Sequence, residues 1–417
     1  MKTIKKSHKK ILLLISGSIA AVRIPLLVSN LVKANYIVKC VLTKNAEKII
    51  QPLSLSILSR NKCIIDEDQW NYKKSKPLHI YLSEWADILV MAPLTATTLS
   101  KWVHGNAEGL VSSILIANKK PIIVSPAMNT NMWFDNAVIA NYSKLEKYSN
   151  TLLLNPSKGL LACDQYGIGK LPSNDLIKLA IQYLSSITHN KNFNDLRGKS
   201  FLITGGATSE KIDSARNITN NSSGAMGLLL AQIARFRGAK VTFIHGHLKV
   251  NTDINEGIES YEVRDSLDLN NRITSELNNY DYLLMNAAVA DIKTTHHKAA
   301  KIPKGHLKEF LLNNIELVPD ILQNACSLKK NNQKFIGFCA FTGNLQNLRE
   351  IIKKKFEIKG CDLIFANPID IEGQGFGENS ENEGWLFDNS GMEYHISKTS
   401  KLDLANKLID RIISIDK

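Results

Sequence analysis

Short apolar runs alternate with helical patterns along the first part of the chain. The runs predict buried strands, and the segments between them repeat apolar residues at helical spacing. The predicted strands are 10–16, 36–42, 87–92, 121–125 and 151–154, and the predicted helices lie near 19–33, 95–102 and 107–118. Such alternation is typical of a doubly wound parallel sheet. We therefore expect a Rossmann-like α/β domain over residues 1–188.

A second alternation of the same kind follows a polar stretch at residues 189–198, which we interpret as a linker. Its predicted strands are 199–206, 240–244, 281–286, 334–338 and 361–365, with a helix at 224–237. A chain of 417 residues is also too long for one typical core. The pattern predicts a second Rossmann-like α/β domain over residues 199–417, so the expected fold class is two such domains in tandem.

Charge and cysteine content narrow the classes of function. The net charge is +13, but the lysines are scattered and form no Arg-rich block, which counts against nucleic acid; small anionic substrates and compositional drift explain the charge as well. The six cysteines form no C-x-x-C motif and suit a reduced, cytoplasmic protein. Lysine-rich residues 1–10 and the apolar run after them resemble a signal peptide, but that run is short and predicts a first buried strand. No apolar run is long enough to span a membrane.

Small and hydroxyl-bearing residues follow three predicted strands of the first domain. They are Gly17, Ser18 and Ile19 after the first strand, Thr43 after the second, and Ala92 and Thr95 around the end of the third. Small residues at a helix start let backbone N–H groups approach a phosphate. Neither domain carries Gly-x-Gly-x-x-Gly, and no acidic residue ends the second strand, which counts against a dehydrogenase that binds NAD.

The loop Pro126–Trp133 follows the fourth predicted strand and contains Met128, Asn129 and Met132. Ligands gather at the carboxyl ends of strands in open α/β sheets, and the Asn129 amide can both donate and accept hydrogen bonds. The loop is equally consistent with simple packing by its Met and Trp side chains. A lone residue such as His79 is more often structural than catalytic, whereas Cys163 lies in a glycine-rich segment that we expect to be mobile.

In their order along the chain, these features resemble the flavin-dependent cysteine decarboxylases. The matching residues are Gly17–Ala20, His79, Ala92-Pro93-x-Thr95, Pro126-Ala127-Met128-Asn129-x-x-Met132-Trp133 and Ala162-Cys163. The resemblance implies FMN as cofactor and a substrate in which cysteine is amide-linked to 4′-phosphopantothenate. It also implies oxidation of the cysteinyl thiol, loss of CO₂ and reduction of the resulting enethiol.

The resemblance assigns roles to individual residues of the first domain. His79 acts as an acid/base, Asn129 binds the substrate carboxylate beside Met132, and Cys163 protonates the enethiol and helps to reduce it. The residues that it places around FMN are Gly17, Ser18, Ile19, Thr43, Ala92, Thr95 and Met128.

The second domain has a polar cradle of its own after its first strand. It includes Thr204-Gly205-Gly206-x-Thr208, Arg216-x-Ile218-Thr219-Asn220-x-Ser222-Ser223-Gly224, Asn286-Ala287-Ala288-Val289-Ala290-Asp291, Lys301-Ile302 and Gly375-Phe376-Gly377. Hydroxyls, amides and a helix start of this kind suit an anion. These motifs are similar to those of the phosphopantothenate–cysteine ligase that is fused to the decarboxylase in many bacteria. The resemblance implies CTP, Mg²⁺ and an acyl-cytidylate intermediate.

By position, the resemblance makes Asn220 and Lys301 catalytic, and Arg216 and Asn220 substrate-binding. The residues implied for CTP are Ala287, Asp291, Lys301, Phe338, Lys355 and Lys359. No metal ligand is identified, and Mg²⁺ is expected to be held largely by the CTP phosphates. Charge stabilisation is usually the largest contribution to such transfers.

The chain departs from the usual family patterns at several positions. Asp164 stands where glycine is usual, and Ala107-Glu108 where an Asn/Asp-Asp pair is usual. In the second domain, Ala225 replaces a usual lysine, Pro303 lies within a lysine-rich motif, and Phe341 stands where an acidic residue is common.

The sequence thus predicts a bifunctional enzyme that makes 4′-phosphopantetheine from 4′-phosphopantothenate, cysteine and CTP. Two alternatives remain open: a decarboxylase with a decayed ligase half, and a non-catalytic flavoprotein that acts as a regulatory subunit. The resemblance implies a homo-oligomer with a trimeric decarboxylase core and paired ligase domains, without nucleic-acid or membrane partners.

Overall fold

A computed structural model describes residues 8–71, 75–187, 193–371, 375 and 381–415. The chain divides into two compact units, Met1–Asp195 and Leu196–Lys417. Residues 1–7, the first four residues of the expected linker (189–192), and Phe376 and Gly377 of the glycine motif lie outside the described residues. Leu196, also within the expected linker, is buried, and its N–H donates to the Arg237 carbonyl of the second unit.

The first unit is built on a five-stranded parallel sheet in the order β2-β1-β3-β4-β5. Its strands are β1 (Lys10–Ile15), β2 (Ile37–Leu42), β3 (Ile88–Leu94), β4 (Ile122–Pro126) and β5 (Thr151–Leu153). Successive residues such as Ile11 and Leu12 point to opposite faces, and both are fully buried. Both faces are therefore covered, as a doubly wound sheet requires, and the predicted fold class is confirmed.

Helices of the first unit connect these strands. They are α1 (Ile24–Lys33), α2 (Lys44–Glu47), α3 (Pro52–Ser59), α4 (Leu78–Trp85), α5 (Ala96–Val103), α6 (Leu110–Ala117), α7 (Thr130–Trp133), α8 (Asn136–Leu145) and α9 (Asn174–Ser186), with 3-10 helices at Ile19–Arg23 and Asp66–Gln69. The single helix predicted near 19–33 is thus two helices. Pro25 lies in the first turn of α1, where proline is tolerated, and it marks the start of the regular helix.

The segment around Cys163, expected to be a mobile glycine-rich stretch, contains an antiparallel hairpin. Its strands are β6 (Ser157–Leu160) and β7 (Tyr166–Lys170). The sequence did not predict these strands, because the glycines at 159, 167 and 169 interrupt the alternating pattern that marks a strand.

The second unit has an eight-stranded sheet in the order β12-β11-β8-β13-β16-β17-β18-β19. Its strands are β8 (Ser200–Gly205), β11 (Lys240–His245), β12 (Glu259–Glu262), β13 (Tyr282–Met285), β16 (Lys334–Phe341), β17 (Leu363–Pro368), β18 (Asn382–Asp388) and β19 (Glu393–Thr399). The first six strands in this order pair in parallel with their neighbours. Strands β18 and β19 add an antiparallel edge that was not predicted from the sequence.

Helices and two small hairpins complete the second unit. The helices are α10 (Ala225–Phe236), α11 (Ser266–Glu276), α12 (Lys304–Asn314), α13 (Ile321–Ser327), α14 (Leu345–Lys359) and α15 (Lys401–Ser414), with 3-10 helices at Thr252–Asn255 and Leu277–Asn279. The hairpins pair β9 (Ser209–Lys211) with β10 (Asn217–Thr219), and β14 (Ile292–Thr294) with β15 (Ile315–Leu317). Within the ranges described above, no helix has the length and apolar content needed to cross a membrane.

Candidate functional site

The loops that follow β1, β2 and β3 lie along one edge of the first unit's sheet, because these strands are parallel. Ser18 follows β1, Thr43 follows β2 and Thr95 follows β3. The buried Ser16 hydroxyl joins two of these loops: it donates to the Pro93 carbonyl (2.7 Å) and accepts from the Thr95 N–H (3.0 Å). These two bonds fix the spacing between the loops after β1 and β3, which are both expected to contact FMN.

Ser18, Thr43 and Thr95 each cap the helix that their loop begins. Their hydroxyl oxygens accept backbone N–H groups two or three residues later, at 3.3–3.4 Å. Thr95 also shares a 3.2 Å hydrogen bond with the Thr98 hydroxyl. A hydroxyl that accepts at a cap still has a proton to donate, so Ser18 and Thr43 combine a structural role with the capacity to bind an oxyanion.

Four other residues predicted around the flavin or substrate lie near the same edge. Gly17 follows β1, and Ala92 is fully buried within β3. Ile19 is 60% exposed and Met132 is 48% exposed, so these two apolar side chains are presented to the surface. Large exposed apolar side chains beside polar loops are suited to contact with a ring or a neighbouring surface.

Asn129 and Cys163 meet although they are far apart in sequence. The Asn129 amide donates to the Cys163 sulfur at 3.4 Å, and its carbonyl oxygen accepts from the Asn131 N–H at 2.9 Å. Cys163 is exposed in the loop that joins β6 to β7. The Met128 N–H donates to the Gly169 carbonyl at 2.9 Å, which ties the hairpin to the Asn129 loop.

The hairpin packs so closely on this loop that side chains are excluded at two of its positions. A Cβ atom at Gly167 would lie 2.2 Å from the Thr130 hydroxyl oxygen, and one at Gly169 would lie 2.1 Å from the Met128 carbonyl oxygen. Glycine is therefore required there for steric reasons. This close packing holds the thiol of Cys163 over the Asn129 loop.

Asp164, the departure next to Cys163, adopts a left-handed backbone conformation with φ of 58°. Aspartate is one of the few residues other than glycine that tolerates this region. The Asp164 N–H donates to the Leu161 carbonyl at 3.0 Å, as a tight turn requires. The substitution therefore preserves the turn that glycine would form.

His79 lies in the first turn of α4, and its ring is half-buried. Helices that connect parallel strands run against the strand direction, so the start of α4 lies at the carboxyl edge of the sheet. In the described part of the chain, the His79 ring forms no hydrogen bond with Asn129 or Cys163. The structure thus brings the amide and the thiol together, and neither of them forms a hydrogen bond with the His79 ring.

Two hydroxyls near the Asn129 loop are buried without a hydrogen-bond partner among the described residues. They belong to Ser125, at the end of β4, and to Thr130, at the start of α7. An unpaired buried polar group costs about 1–3 kcal/mol. Their position is consistent with a polar ligand at this edge.

The cradle of the second unit is held by bonds between its loops and hydroxyls. The Thr204 hydroxyl accepts from the Ala287 N–H, and the Thr208 hydroxyl accepts from the Ala290 N–H, both at 3.0 Å. The Ala288 carbonyl also accepts from the Thr208 N–H at 3.2 Å. These bonds fix the loops after β8 and β13 next to each other.

Asn220 is part of the same arrangement. Its amide donates to the Val289 carbonyl at 2.8 Å, and the neighbouring Thr219 hydroxyl donates to the Thr208 carbonyl at 2.7 Å. Because its amide nitrogen is bound to Val289, the Asn220 side chain is already oriented before any substrate binds.

A small cavity of about 70 Å³ lies at the start of α10. Its lining includes Phe338, Ala225 and Lys401. Of these, Phe338 is one of the residues that the resemblance implies for CTP. Phe338 packs edge-on against Phe365, with ring centroids 5.8 Å apart. Lys401 is 6% exposed, so this cavity combines an aromatic ring with a buried ammonium group.

The predicted CTP residues outside this cavity are dispersed. Asp291 is exposed, and its carbonyl accepts from the Val318 N–H. Lys301 is exposed and lines a second cavity of about 470 Å³ in front of α12. Lys355 is half-buried on α14.

Lys359, at the end of α14, forms an ion pair with Asp320 at 2.9 Å. Burial alone would raise the pKa of Asp320, but the Gln323 N–H and the Lys359 ammonium lower the pKa. Binding of the triphosphate by Lys359 would therefore compete with an ion pair inside the protein.

Arg216 is engaged by protein groups on two sides. Its guanidinium donates to the Asp213 carboxylate at 3.0 and 2.6 Å and to the Ile302 carbonyl at 2.5 Å. Asp213 has no exposed side-chain surface, although it lies in a polar loop. The sequence gives no sign of this role, because no local pattern distinguishes a buried loop carboxylate from an exposed one.

The other departures have simple physical explanations. Pro303 caps α12 with φ of −58°, which proline adopts readily. Phe341 is 7% exposed and packs edge-on against Trp385, so an apolar contact occupies the place of a common acidic residue. Glu108 lies before α6 and pairs with Lys101 at 2.7 Å.

A metal site in a protein needs several His, Cys, Asp or Glu side chains close together. Among the described residues, no group of three or more His, Cys, Asp or Glu side chains is placed to hold a metal ion.

Comparison with known proteins relates both units to described families. The family described as flavoprotein matches residues 2–185, and the DNA/pantothenate metabolism flavoprotein C-terminal domain matches residues 196–415. The chain is 34% identical over 362 residues to the coenzyme A biosynthesis bifunctional protein CoaBC of Borreliella burgdorferi, covering 87% of this chain and 90% of that protein. It is 32% identical over 419 residues to CoaBC of Bacillus subtilis, covering 99% and 98%. The solved structure of the FMN binding protein AtHal3 is 34% identical, covers 43% of this chain and 99% of that chain, and has a TM-score of 0.39.

Proposed function

We propose a role for each unit of this chain, which belongs to the family of coenzyme A biosynthesis bifunctional proteins. The prediction of a bifunctional enzyme with decarboxylase and ligase activities is confirmed by that membership. The second unit joins cysteine to 4′-phosphopantothenate at the expense of CTP. The first unit then decarboxylates the 4′-phosphopantothenoylcysteine to 4′-phosphopantetheine.

One observation supports the decarboxylase assignment above all others. The Asn129 amide and the Cys163 sulfur are 3.4 Å apart, although 33 residues separate them and they lie on different elements. An amide that donates to a carboxylate and a thiol that donates a proton are the two groups that this reaction needs side by side. Simple packing of the loop would not require an exposed thiol at this place.

The residues present at the first unit's edge fit FMN. Polar partners for a phosphate and a flavin ring are available here. They are the unpaired hydroxyls of Ser125 and Thr130, and the hydroxyls of Ser18 and Thr43, which can still donate a hydrogen bond. The residues that would hold it are Gly17, Ser18, Ile19, Thr43, Ala92, Thr95 and Met128. When bound, FMN supplies the two-electron redox chemistry that assists the loss of CO₂.

Side chains of this unit have distinct tasks. Asn129 donates to the substrate carboxylate and fixes its orientation, with Met132 as an apolar neighbour. His79 exchanges a proton with the substrate thiol or carboxylate, since an imidazole ring can both accept and donate a proton. Cys163 delivers a proton to the carbon skeleton after CO₂ has left, and the net reaction consumes one proton and leaves no net oxidation.

The second unit would activate the carboxylate of 4′-phosphopantothenate. That carboxylate attacks the α-phosphorus of CTP and releases pyrophosphate, and the amine of cysteine then displaces CMP. Asn220 is held by Val289 where it would support the acyl-cytidylate, while Arg216 lies nearby on the same hairpin. Lys301 neutralises developing phosphate charge, and Phe338 packs on the base.

The remaining nucleotide contacts follow the same proposal. Ala287 and Asp291 hold the nucleotide, and Lys355 and Lys359 meet the triphosphate. Mg²⁺ is expected to be held largely by the phosphates of CTP.

Assembly and compartment are part of the proposal as well. Helices α1 and α3 pack together and leave Leu26, Leu53 and Ile57 61%, 68% and 67% exposed, an apolar surface suited to self-association. We expect a homo-oligomer with a trimeric first unit and paired second units, testable by light scattering. The described cysteines are all free, which suits the reducing cytoplasm.

The decisive experiment supplies 4′-phosphopantothenate, cysteine and CTP to the full chain and follows both product masses. We expect a yellow protein, release of pyrophosphate and CMP, and then 4′-phosphopantetheine and CO₂. A colourless protein that does not take up added FMN would overturn the decarboxylase assignment.

Supplying 4′-phosphopantothenoylcysteine directly separates the two halves. Conversion of this conjugate without conversion of the three precursors would identify a decarboxylase with a decayed ligase half. The family match over nearly the whole chain does not favour that alternative. Failure of both reactions would leave the non-catalytic flavoprotein.

A further inference from the structure

The buried carboxylate of Asp213 organises a segment that lies far away in sequence. One of its oxygens accepts from the Ala215 N–H at 2.8 Å, and the other accepts from the Ile302 N–H at 3.1 Å and from Arg216. Its side chain has no exposed surface. A buried carboxylate with this many donors is strongly fixed in position.

Arg216 completes the arrangement from the other side. Its guanidinium donates to Asp213 and to the Ile302 carbonyl, so both polar backbone groups of Ile302 are bound by one carboxylate–guanidinium pair. Ile302 directly follows Lys301 in the chain. The backbone of Lys301 is therefore constrained on its carboxyl side.

Two further bonds tie the same segment to the β9–β10 hairpin. The Lys298 N–H donates to the Ile212 carbonyl at 3.1 Å, and the Thr294 hydroxyl donates to the Lys211 carbonyl at 2.8 Å. These bonds approach Lys301 from its amino side. The exposed Lys301 side chain thus extends from a backbone that is held at both ends.

The ionisation of Asp213 agrees with this geometry. Burial alone would raise the pKa, but the Ala215 and Ile302 N–H groups and the Arg216 guanidinium lower the pKa of Asp213 to about 2. The carboxylate therefore remains charged, and the pair with Arg216 remains intact, at every pH at which the enzyme would be assayed.

We propose that Asp213 is a positioning residue that, through Arg216 and Ile302, holds Lys301 where it neutralises charge on the triphosphate of CTP. This inference rests on the proposed ligase function. It also changes the interpretation of Arg216, which acts on Ile302 rather than as a direct ligand of the substrate. A shift of a charged group by about 1 Å can cost on the order of 10²-fold in rate.

Asp213→Asn in the full chain tests the proposal, because asparagine has nearly the same shape but places an amide where four donors converge. Limited trypsin digestion reports the segment directly, since trypsin cleaves after Lys298, Lys301 and Lys304. We expect these bonds to be cut at least several-fold faster in the variant. With 4′-phosphopantothenate and cysteine present, pyrophosphate release from CTP should fall about 10²-fold in kcat, with a smaller change in KM for CTP.

Asp281→Asn is the matched control. Asp281 also anchors a strand through its carboxylate, since it accepts from the Ser200 N–H (2.7 Å) and hydroxyl (2.8 Å), but it does so at the opposite edge of the same sheet. This variant should lower thermal stability while leaving kcat for pyrophosphate release and cleavage near Lys301 unchanged. If Asp213 has a purely structural role, Asp213→Asn should give the same result: lower thermal stability, with kcat and cleavage near Lys301 unchanged.

Arg216→Lys serves if the Asp213 variant fails to fold. Lysine keeps the positive charge but lacks the planar fork that joins Asp213 to Ile302, so cleavage near Lys301 should again accelerate. Unchanged cleavage in both variants, or faster cleavage with an unchanged kcat, would overturn the proposal. If the unmodified protein releases no pyrophosphate from CTP, the ligase function itself fails, whereas the digestion still reports whether Asp213 holds the segment.

Discussion

In the first unit the thiol of Cys163 is exposed on a hairpin, whereas in the second unit Asn220 and Arg216 are already bound to backbone groups of neighbouring loops. The candidate site residues of both units lie on loops beside a doubly wound sheet. The first unit keeps polar groups at Ser125 and Thr130 unpaired, as expected of a site that a cofactor completes. The second unit fixes its groups internally, as suits a site whose substrates enter and leave on every turnover.

The largest expected effect is that of Cys163→Ser. A serine hydroxyl is a far weaker acid than a thiol, so formation of 4′-phosphopantetheine should fall by at least about 10²-fold, while CO₂ release persists. Mass spectrometry of the product and a CO₂ assay measure the two steps separately.

Cys326→Ser is its control, because Cys326 is a half-buried cysteine of the second unit. That variant should form the product at the normal rate. Full yield of the aminoethyl-thiol product from Cys163→Ser would remove the thiol from the mechanism.

The corresponding substitution in the second unit is Asn220→Asp. A carboxylate cannot donate to the Val289 carbonyl, and one hydrogen bond lost in this way costs about 1–3 kcal/mol, or roughly five- to 150-fold in ligation rate. We expect the acyl-cytidylate to accumulate, detectable by its mass after acid quenching.

Asn221→Asp introduces the same charge at the adjacent, exposed position and should ligate normally. Unchanged ligation by Asn220→Asp would show that the preformed bond to Val289 has no part in the reaction.

A smaller effect is expected where the hairpin of the first unit meets the Asn129 loop. Gly169→Ala places a Cβ 2.1 Å from the Met128 carbonyl oxygen, which forces the backbone apart and should cost about 1–3 kcal/mol of stability. Decarboxylation should decline with it, because the contact between Asn129 and Cys163 depends on this packing.

Gly159→Ala in the same hairpin is the matched variant. Its Cβ would meet only the flexible Lys170 side chain, at 3.2 Å, so stability and decarboxylation should be nearly unchanged. Equal behaviour of the two variants would contradict the close packing of the hairpin.

The smallest effect concerns the turn at Asp164. Asp164→Gly should change stability by less than about 1 kcal/mol, since glycine adopts φ of 58° without strain, and Asp164→Asn should behave alike. Asp164→Val should lower decarboxylation measurably, because a β-branched residue is strained in this region. If valine matches glycine in a kcat measurement, the turn has no influence on the thiol.

Much of this organisation follows from local sequence patterns. The alternation of strands and helices predicted two α/β units, because a buried strand needs apolar residues over only a few positions. The β6–β7 hairpin and the antiparallel strands β18 and β19 escaped prediction. Glycines interrupt the alternating pattern of the β6–β7 hairpin. The direction in which β18 pairs depends on its neighbour in the sheet, which local periodicity does not encode.

For the site, the sequence alone determined which residue types stand at the ends of strands, and the parallel sheet then placed their loops along a common edge. Only the tertiary structure decided which of them touch. It brought the Asn129 amide to the Cys163 sulfur, left both without a hydrogen bond to His79, and bound Arg216 to Asp213 and Ile302. The physical reason is that hydrogen bonds and close packing depend on distances of a few ångströms between segments that the chain order separates.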